Sequence, residues 1–176
     1  MCGLIGLLCP SEVDAEAARP AVADAMQCVR HRGPDETGTW SHGEVVLGFN
    51  RLSIIDIDQS HQPLHWGPPE APDRYTILHN GEIYNYLELR KELEPNFPFF
   101  SKSDSEALLN GYRAWGWEEL LQRIDGVGAP NTHLAAGRTS STSTFYRRSC
   151  RCKLNRTCRV GQIPAWSSPC KAISWT

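Results

Sequence analysis

Residues 4–9 (Leu-Ile-Gly-Leu-Leu-Cys) form a short unbroken apolar run almost at the start of the chain, the pattern of a buried strand stopped by Pro10 and Ser11. Val13, Ala17, Ala21, Val22, Met26 and Val29 then recur at helical spacing, which predicts an amphipathic helix over 12–30 with an irregularity at Pro20. His31-Arg32-Gly33-Pro34-Asp35 carries turn chemistry. Residues 44–50 and 53–57, rich in Val, Leu and Ile, read as strands, and 59–74, with four prolines, as a surface loop. Residues 75–79 form another strand, halted at Asn80-Gly81, a strong turn signal. Leu87, Leu89 and Leu93 mark a helix over 85–94. Ser103-x-x-Glu106 has capping-box spacing and opens a helix through about Trp115, followed by a shorter one over 118–124. Strands and helices interleave with few parallel β-α-β signatures, so the expected class is α+β with layered packing.

The pattern stops near Asp125. Residues 126–176 show neither apolar periodicity nor a credible helix, and they include the polar tract 139–144. Such a segment buries too little apolar surface to fold alone and reads as a disordered tail. A chain of 176 residues otherwise suits one domain, with 40% hydrophobic and 22% charged residues. No run is long enough to span a bilayer, and the start lacks the shape of a secretory leader, which points to a cytoplasmic protein.

Charge sharpens the boundary. The net charge of −2 combines 20 acids against 10 bases in residues 1–125, a net of −10, with 8 bases and no acid beyond, a net of +8. A basic half raises the question of nucleic acid, but the arginines are scattered without folded support, and no nucleic-acid partner is expected. Cys150, Cys152, Cys158 and Cys170 raise the question of zinc, yet their spacing fits no common site. The six histidines, His31, His42, His61, His65, His79 and His133, form no ligand spacing either, so no metal is expected.

Cys2 followed by Gly3 is the chemically telling feature. Removal of Met1 would leave a thiol and a free α-amine on one residue. With an ordinary pKa of about 7.7–8.0, that amine can take the thiol proton and later return one to a leaving group. Gly3 would let other backbone approach. A structural thiol at a strand start would look the same in isolation, so the decision rests on what accompanies it. No histidine motif does, which disfavours a peptide-cleaving Cys–His hydrolase.

The accompanying segments are Arg51-Leu52-Ser53-Ile54-Ile55-Asp56, Asn80-Gly81-Glu82-Ile83-Tyr84-Asn85 and Ser103-Asp104-Ser105-Glu106, together with Met1-Cys2-Gly3 and His31 to Asp35. In this order and spacing, residues 1 to about 125 resemble the class II (N-terminal nucleophile) glutamine amidotransferases, and among them the glutaminase domain of asparagine synthetases. The resemblance implies an Ntn-hydrolase-type α/β/β/α sandwich occupying 2–125. It implies L-glutamine as substrate, Cys2 as nucleophile, and Asn80 and Gly81 as the oxyanion hole. Arg51 would clamp the substrate carboxylate, the backbone of Leu52, Ser53, Ile54 and Ile55 would line the pocket, and Glu82 and Asp104 would bind the substrate ammonium. His31 to Asp35 would be a supporting turn.

Each role has a bland counterpart: a surface arginine, a hairpin turn at Asn80-Gly81, a helix cap at Asp104. The family's glutaminase domain continues into further strands and then an ATP-using synthetase domain. Here the chain departs after Asp125-Gly126-Val127-Gly128, in the manner of a shifted reading frame, which implies a truncated and incomplete sandwich. No phosphate-binding glycine loop is present, so no cofactor is expected; ATP and magnesium would belong to the absent synthetase domain. The alternative to an active glutaminase is an inactive remnant of such an enzyme.

Overall fold

The computed structural model describes residues 2–9, 14–128 and 171–175. Pro10, Ser11, the 139–144 tract, His133 and Cys150, Cys152, Cys158 and Cys170 lie outside the described residues. Two compact units divide the chain between Leu52 and Ser53, with 171–175 belonging to the first. Both mix helix and sheet, so the class is α+β.

In the first unit, β1 (Gly3–Leu8), β2 (Glu36–His42), β3 (Val45–Arg51) and β8 (Lys171–Trp175) form one antiparallel sheet in the order β2-β3-β1-β8. β1 is an inner strand flanked on both edges, and Leu4, Ile5 and Leu7 are all buried, which accounts for its unbroken apolar sequence. Helix α1 (Ala15–Cys28) lays Ala15, Ala18, Val22 and Met26 against Ile5, Leu7, Cys9 and Val46. Asp14 caps α1 by accepting the Glu16 N–H at 3.0 Å. Burying side chains such as Met26 and Val46 contributes about 1.5–3 kcal/mol apiece.

β2 was not foreshadowed by the hydrophobic pattern. It occupies the outer edge of the sheet and none of its residues is buried, so nothing in it needs to be apolar. The two-residue turn into β3 begins at Gly43, whose φ of +56° suits the first central position of a tight hairpin turn.

The second unit contains two strand pairs and two helices. β4 (Leu64–Trp66) pairs with β5 (Tyr75–Ile77), and β6 (Gly81–Ile83) with β7 (Gly126–Gly128), all antiparallel. Helices α2 (Tyr86–Leu93) and α3 (Asp104–Arg123) enclose a core of Ile77, Ile83, Leu89, Leu93, Leu108, Leu109 and Leu120. Gly116, at φ +73°, breaks α3 where one helix was expected to end and another to begin.

Two local expectations need correction. Residues 53–57 do not form a strand: Asp56 adopts a left-handed φ of +49°, its carbonyl accepts the Gln59 and Ser60 N–H groups, and Ile54 and Ile57 face solvent. Residues 59–74 are not wholly loop, since β4 lies within them. Beyond Asp125, β7 and β8 both pair with strands from the main body of the chain. Among the described residues no helix is long and apolar enough to cross a membrane.

Candidate active site

Cys2, Arg51 and Leu52 belong to the first unit; Ser53, Ile54, Ile55, Asn80, Gly81, Glu82 and Asp104 belong to the second.

In the first unit, the antiparallel register pairs Gly3 with Asn50, so the residue preceding β1 meets the residues that end β3. Half-buried Cys2 has its Sγ 3.4 Å from the Leu52 backbone N–H, which donates to it, and 4.0 Å from the Leu52 carbonyl. Gly3 is needed for a neighbour: a Cβ there would stand 3.2 Å from Val29 Cγ2 and 3.3 Å from the Val29 carbonyl.

The segment His31 to Asp35 behaves as the supporting turn expected of it. After the 3-10 turn Arg30–Arg32, Arg32 Nε donates to the Cys2 carbonyl at 3.2 Å and the Asp35 N–H donates to the Arg51 carbonyl at 3.2 Å. One segment thus ties down both the candidate nucleophile and the candidate clamp. Gly33 lies flat on β3, where a Cβ would fall 2.3 Å from the Asn50 carbonyl oxygen and 2.6 Å from the Arg51 carbonyl carbon. Both obstacles are strand backbone and cannot swing aside. Gly33→Ala is expected to destabilise the protein by about 2–3 kcal/mol, at the upper end of ordinary overpacking. Urea unfolding followed by far-UV circular dichroism measures it; an unchanged midpoint contradicts this packing.

Arg51 is 5% exposed, which excludes a surface arginine. Its Nη1 reaches Glu36 Oε2 at 3.2 Å, the carboxylate directly opposite it in the strand register. Behind it, the buried Asn50 side chain donates to the Met26 carbonyl at 2.8 Å and accepts from Thr37 Oγ1 at 2.9 Å, fixing the end of β3 to α1 and β2.

In the second unit, Asn80-Gly81 does not close a hairpin. β5 before it pairs with β4 and β6 after it pairs with β7, so the two flanking strands are not partners. Asn80 is half-buried, Gly81 opens β6, and Glu82 is exposed. The capping question at α3 is also settled: Ser103 Oγ accepts the Glu106 N–H at 3.2 Å. Asp104 turns its carboxylate toward β6 instead, where Oδ2 accepts the Ile83 N–H at 3.1 Å. The Asp104 side chain is buried in the first turn of α3, where a helix N-terminus favours negative charge.

Three residues support these groups: Arg32 from the supporting turn, and Gln62 and His79, to which sequence reading assigned no role. Arg32 holds the Cys2 carbonyl, as described. Gln62 grips the residue before Asn80 on both sides: its Oε1 accepts the His79 N–H at 2.9 Å and its Nε2 donates to the His79 carbonyl at 3.2 Å. His79 itself is buried, with Nδ1 3.0 Å from Ser105 Oγ and 3.8 Å from Asp104 Oδ2. Burial holds His79 below the ordinary histidine value, and the Asp104 charge opposes that shift. Nothing in one sequence signals contacts between side chains so far apart. Among the described residues no group of three or more His, Cys, Asp and Glu is placed to hold a metal ion.

A family model for the glutamine amidotransferase domain matches residues 1–133. A Mycobacterium tuberculosis protein, provisionally named a glutamine-hydrolysing asparagine synthetase, is 53% identical over 143 residues, covering 73% of this chain and 21% of that protein. Asparagine synthetase (glutamine-hydrolysing) 1 of Bacillus subtilis is 40% identical over 131 residues, covering 73% of this chain and 20% of its own. The nodule asparagine synthetase (glutamine-hydrolysing) of Pisum sativum is 35% identical over 127 residues, covering 72% and 20%. The chain thus spans about a fifth of the length of these curated relatives.

Proposed function

We propose, for a chain that belongs to the glutamine amidotransferase domain family, the hydrolysis of L-glutamine to glutamate and ammonia with Cys2 as nucleophile. The observation that carries this reading is the Cys2 thiol lying against the Leu52 backbone, immediately beyond buried Arg51.

After loss of Met1, the Cys2 α-amine takes the thiol proton as Sγ attacks the side-chain carbonyl carbon of glutamine. The oxyanion that forms is met by the Asn80 side-chain N–H and the Gly81 backbone N–H, donors of a kind worth about 2.7–4 kcal/mol each. The amine returns the proton to nitrogen, the C–N bond breaks, and ammonia leaves a thioester on Cys2. Water adds to the thioester carbonyl; its C–S bond breaks, releasing glutamate and the thiol. Arg51 holds the α-carboxylate through its planar fork, beside backbone from Leu52, Ser53, Ile54 and Ile55. Glu82 and Asp104 hold the α-ammonium, selecting the free amino acid over a peptide-bound glutamine. The finer architecture that goes with this chemistry is the α/β/β/α sandwich, and the ammonia is destined for asparagine synthesis, the reaction for which the longer relatives are named.

Incubating the purified chain with L-glutamine and measuring glutamate and ammonia tests the reading. Equimolar products support it, and no turnover overturns it. Within this scheme Arg51→Lys is expected to raise the glutamine KM by roughly 10–100-fold, the loss of one charged hydrogen-bond geometry, with much less change in kcat. Steady-state kinetics at saturating glutamine separate the two; an unchanged KM removes Arg51 from the binding role.

A further inference from the structure

We propose that His79 is a positioning residue that makes glutamine binding pH-dependent, its imidazolium competing with the substrate ammonium for the Asp104 carboxylate. This rests on the glutamine-binding role just assigned to Asp104.

His79 stands between β5 and β6, immediately before Asn80, and its backbone is gripped on both sides by Gln62. The side chain therefore has little freedom to withdraw. From α3 it meets the Asp104 carboxylate, 3.8 Å from Nδ1, and the neutral Ser105 hydroxyl at 3.0 Å. From the segment preceding β4 the neutral Gln62 amide faces its backbone and brings no charge. Glu82, three residues along, is exposed. Asp104 is thus the charged group to which His79 answers, and one Asp104 oxygen is already engaged with the Ile83 N–H.

With His79 neutral, Asp104 keeps its full negative charge for an incoming ammonium. With His79 protonated, a cation is already paired with that carboxylate, and a second must share it in a site where water screens little. Burial keeps the imidazole neutral near neutral pH, with Asp104 acting in the opposite direction. The sign follows: falling pH protonates His79 and weakens glutamine binding, and rising pH restores it to a plateau. By linkage, bound glutamine must make His79 harder to protonate by the same factor.

The test compares the full chain with His79→Asn, which keeps a polar group near the Nδ1 position but cannot titrate. Because burial holds the imidazole below its ordinary value, the glutamine KM of the unaltered chain is expected to stay level from pH 8 down to the ordinary histidine range. It should rise as pH falls below that range, by about fivefold or more once His79 is protonated, the lower range of ordinary coupling between sites. In His79→Asn the KM should stay flat, while the pH dependence of kcat, set by the Cys2 amine, is shared by both. A merely structural histidine would shift KM at every pH alike. Independently, imidazole NMR of the Cys2→Ala chain should show the His79 midpoint moving down when glutamine is added. Turnover with parallel KM profiles in the two chains overturns the His79 role and leaves hydrolysis standing. Absence of turnover overturns the hydrolytic reading instead, and the NMR titration then decides His79 alone: a glutamine-dependent shift sustains the proposal, an unmoved midpoint ends it.

Discussion

Cys2→Ala is expected to lower glutamine turnover by on the order of 10⁴-fold or more, because no other group takes over the covalent step when a nucleophile is deleted. Protein stability should scarcely change. The sulfur is half-buried and meets the Leu52 backbone at 3.4 and 4.0 Å. Its loss leaves one N–H without that partner, a cost of about 1 kcal/mol where water is close at hand. Glutamine affinity should also persist, since the proposed contacts to its carboxylate and ammonium involve Arg51, Glu82 and Asp104. Calorimetric titration of glutamine into the variant, beside a glutamate-release assay, separates the two effects. Cys2→Ser serves as a second arm: the hydroxyl is a far poorer nucleophile at neutral pH, and its turnover should also collapse. A variant retaining a tenth of the original turnover would remove Cys2 from the chemistry.

The encounter between Cys2 and Leu52 shows where sequence reading ends. An apolar run at 4–9 announces β1 through composition alone, and the thiol beside it is visible as a residue. The neighbour of that thiol is fixed by the antiparallel register Gly3 to Asn50, a pairing across nearly fifty residues that no local period encodes. β2 stayed hidden for the opposite reason: an exposed edge strand buries nothing and so has no hydrophobic signature. β8 lies where no pattern was visible, since main-chain pairing with β1 does not depend on side-chain periodicity. At 53–57 the pattern misled, because Ile54, Ile55 and Ile57 have strand-forming side chains on a backbone that turns at Asp56.

The burial of Arg51 was equally out of reach, arginine being mostly a surface residue; its candidate role came from resemblance to a family rather than from the pattern around it. Helix starts were the most legible boundaries. Ser103 caps α3 as its spacing announced, yet the other half of the capping box is not formed: the Ser103 N–H is satisfied by Ser101 Oγ at 3.3 Å, not by Glu106.

That departure makes Glu106 a polar residue whose loss should cost the second unit heavily. Its side chain is buried, and both oxygens reach back past the helix cap to the preceding loop. Oε1 accepts the Phe100 N–H at 2.7 Å, and Oε2 accepts both the Ser101 N–H and the Ser101 hydroxyl at 2.6 Å. The carboxylate also lies in the first turn of α3, where the helix dipole favours it. In Glu106→Ala the Ser101 N–H is orphaned in a buried setting, whereas the Ser101 hydroxyl can turn to Ser103 Oγ at 2.9 Å and the Phe100 N–H, on an exposed residue, can turn to water. At about 1–3 kcal/mol for the buried orphan, with the other bonds exchanged for neutral partners or water, the expected loss is about 2–3 kcal/mol. Against a total stability of about 5–15 kcal/mol, that is a substantial fraction. At a urea slope of about 2 kcal/mol per M, it corresponds to a midpoint lower by about 1–1.5 M.

Glu106→Gln provides the discriminating control. It preserves shape and one acceptor oxygen but turns an amide N–H₂ toward donors already present, so it should recover only part of the loss. If packing volume were all that mattered, Glu106→Gln would match the unaltered chain. If charge and acceptor geometry matter as the bonds indicate, its midpoint falls between the other two. The same loop leads through Ser103 directly into Asp104, so the two variants should also raise the glutamine KM in the same order as they lower the midpoint. That ordering ties the stability of the α3 start to the candidate ammonium site, and a KM unmoved in a markedly destabilised Glu106→Ala would show that Asp104 is held independently of the Glu106 bonds, by its own contacts to Ile83, Ser105 and His79.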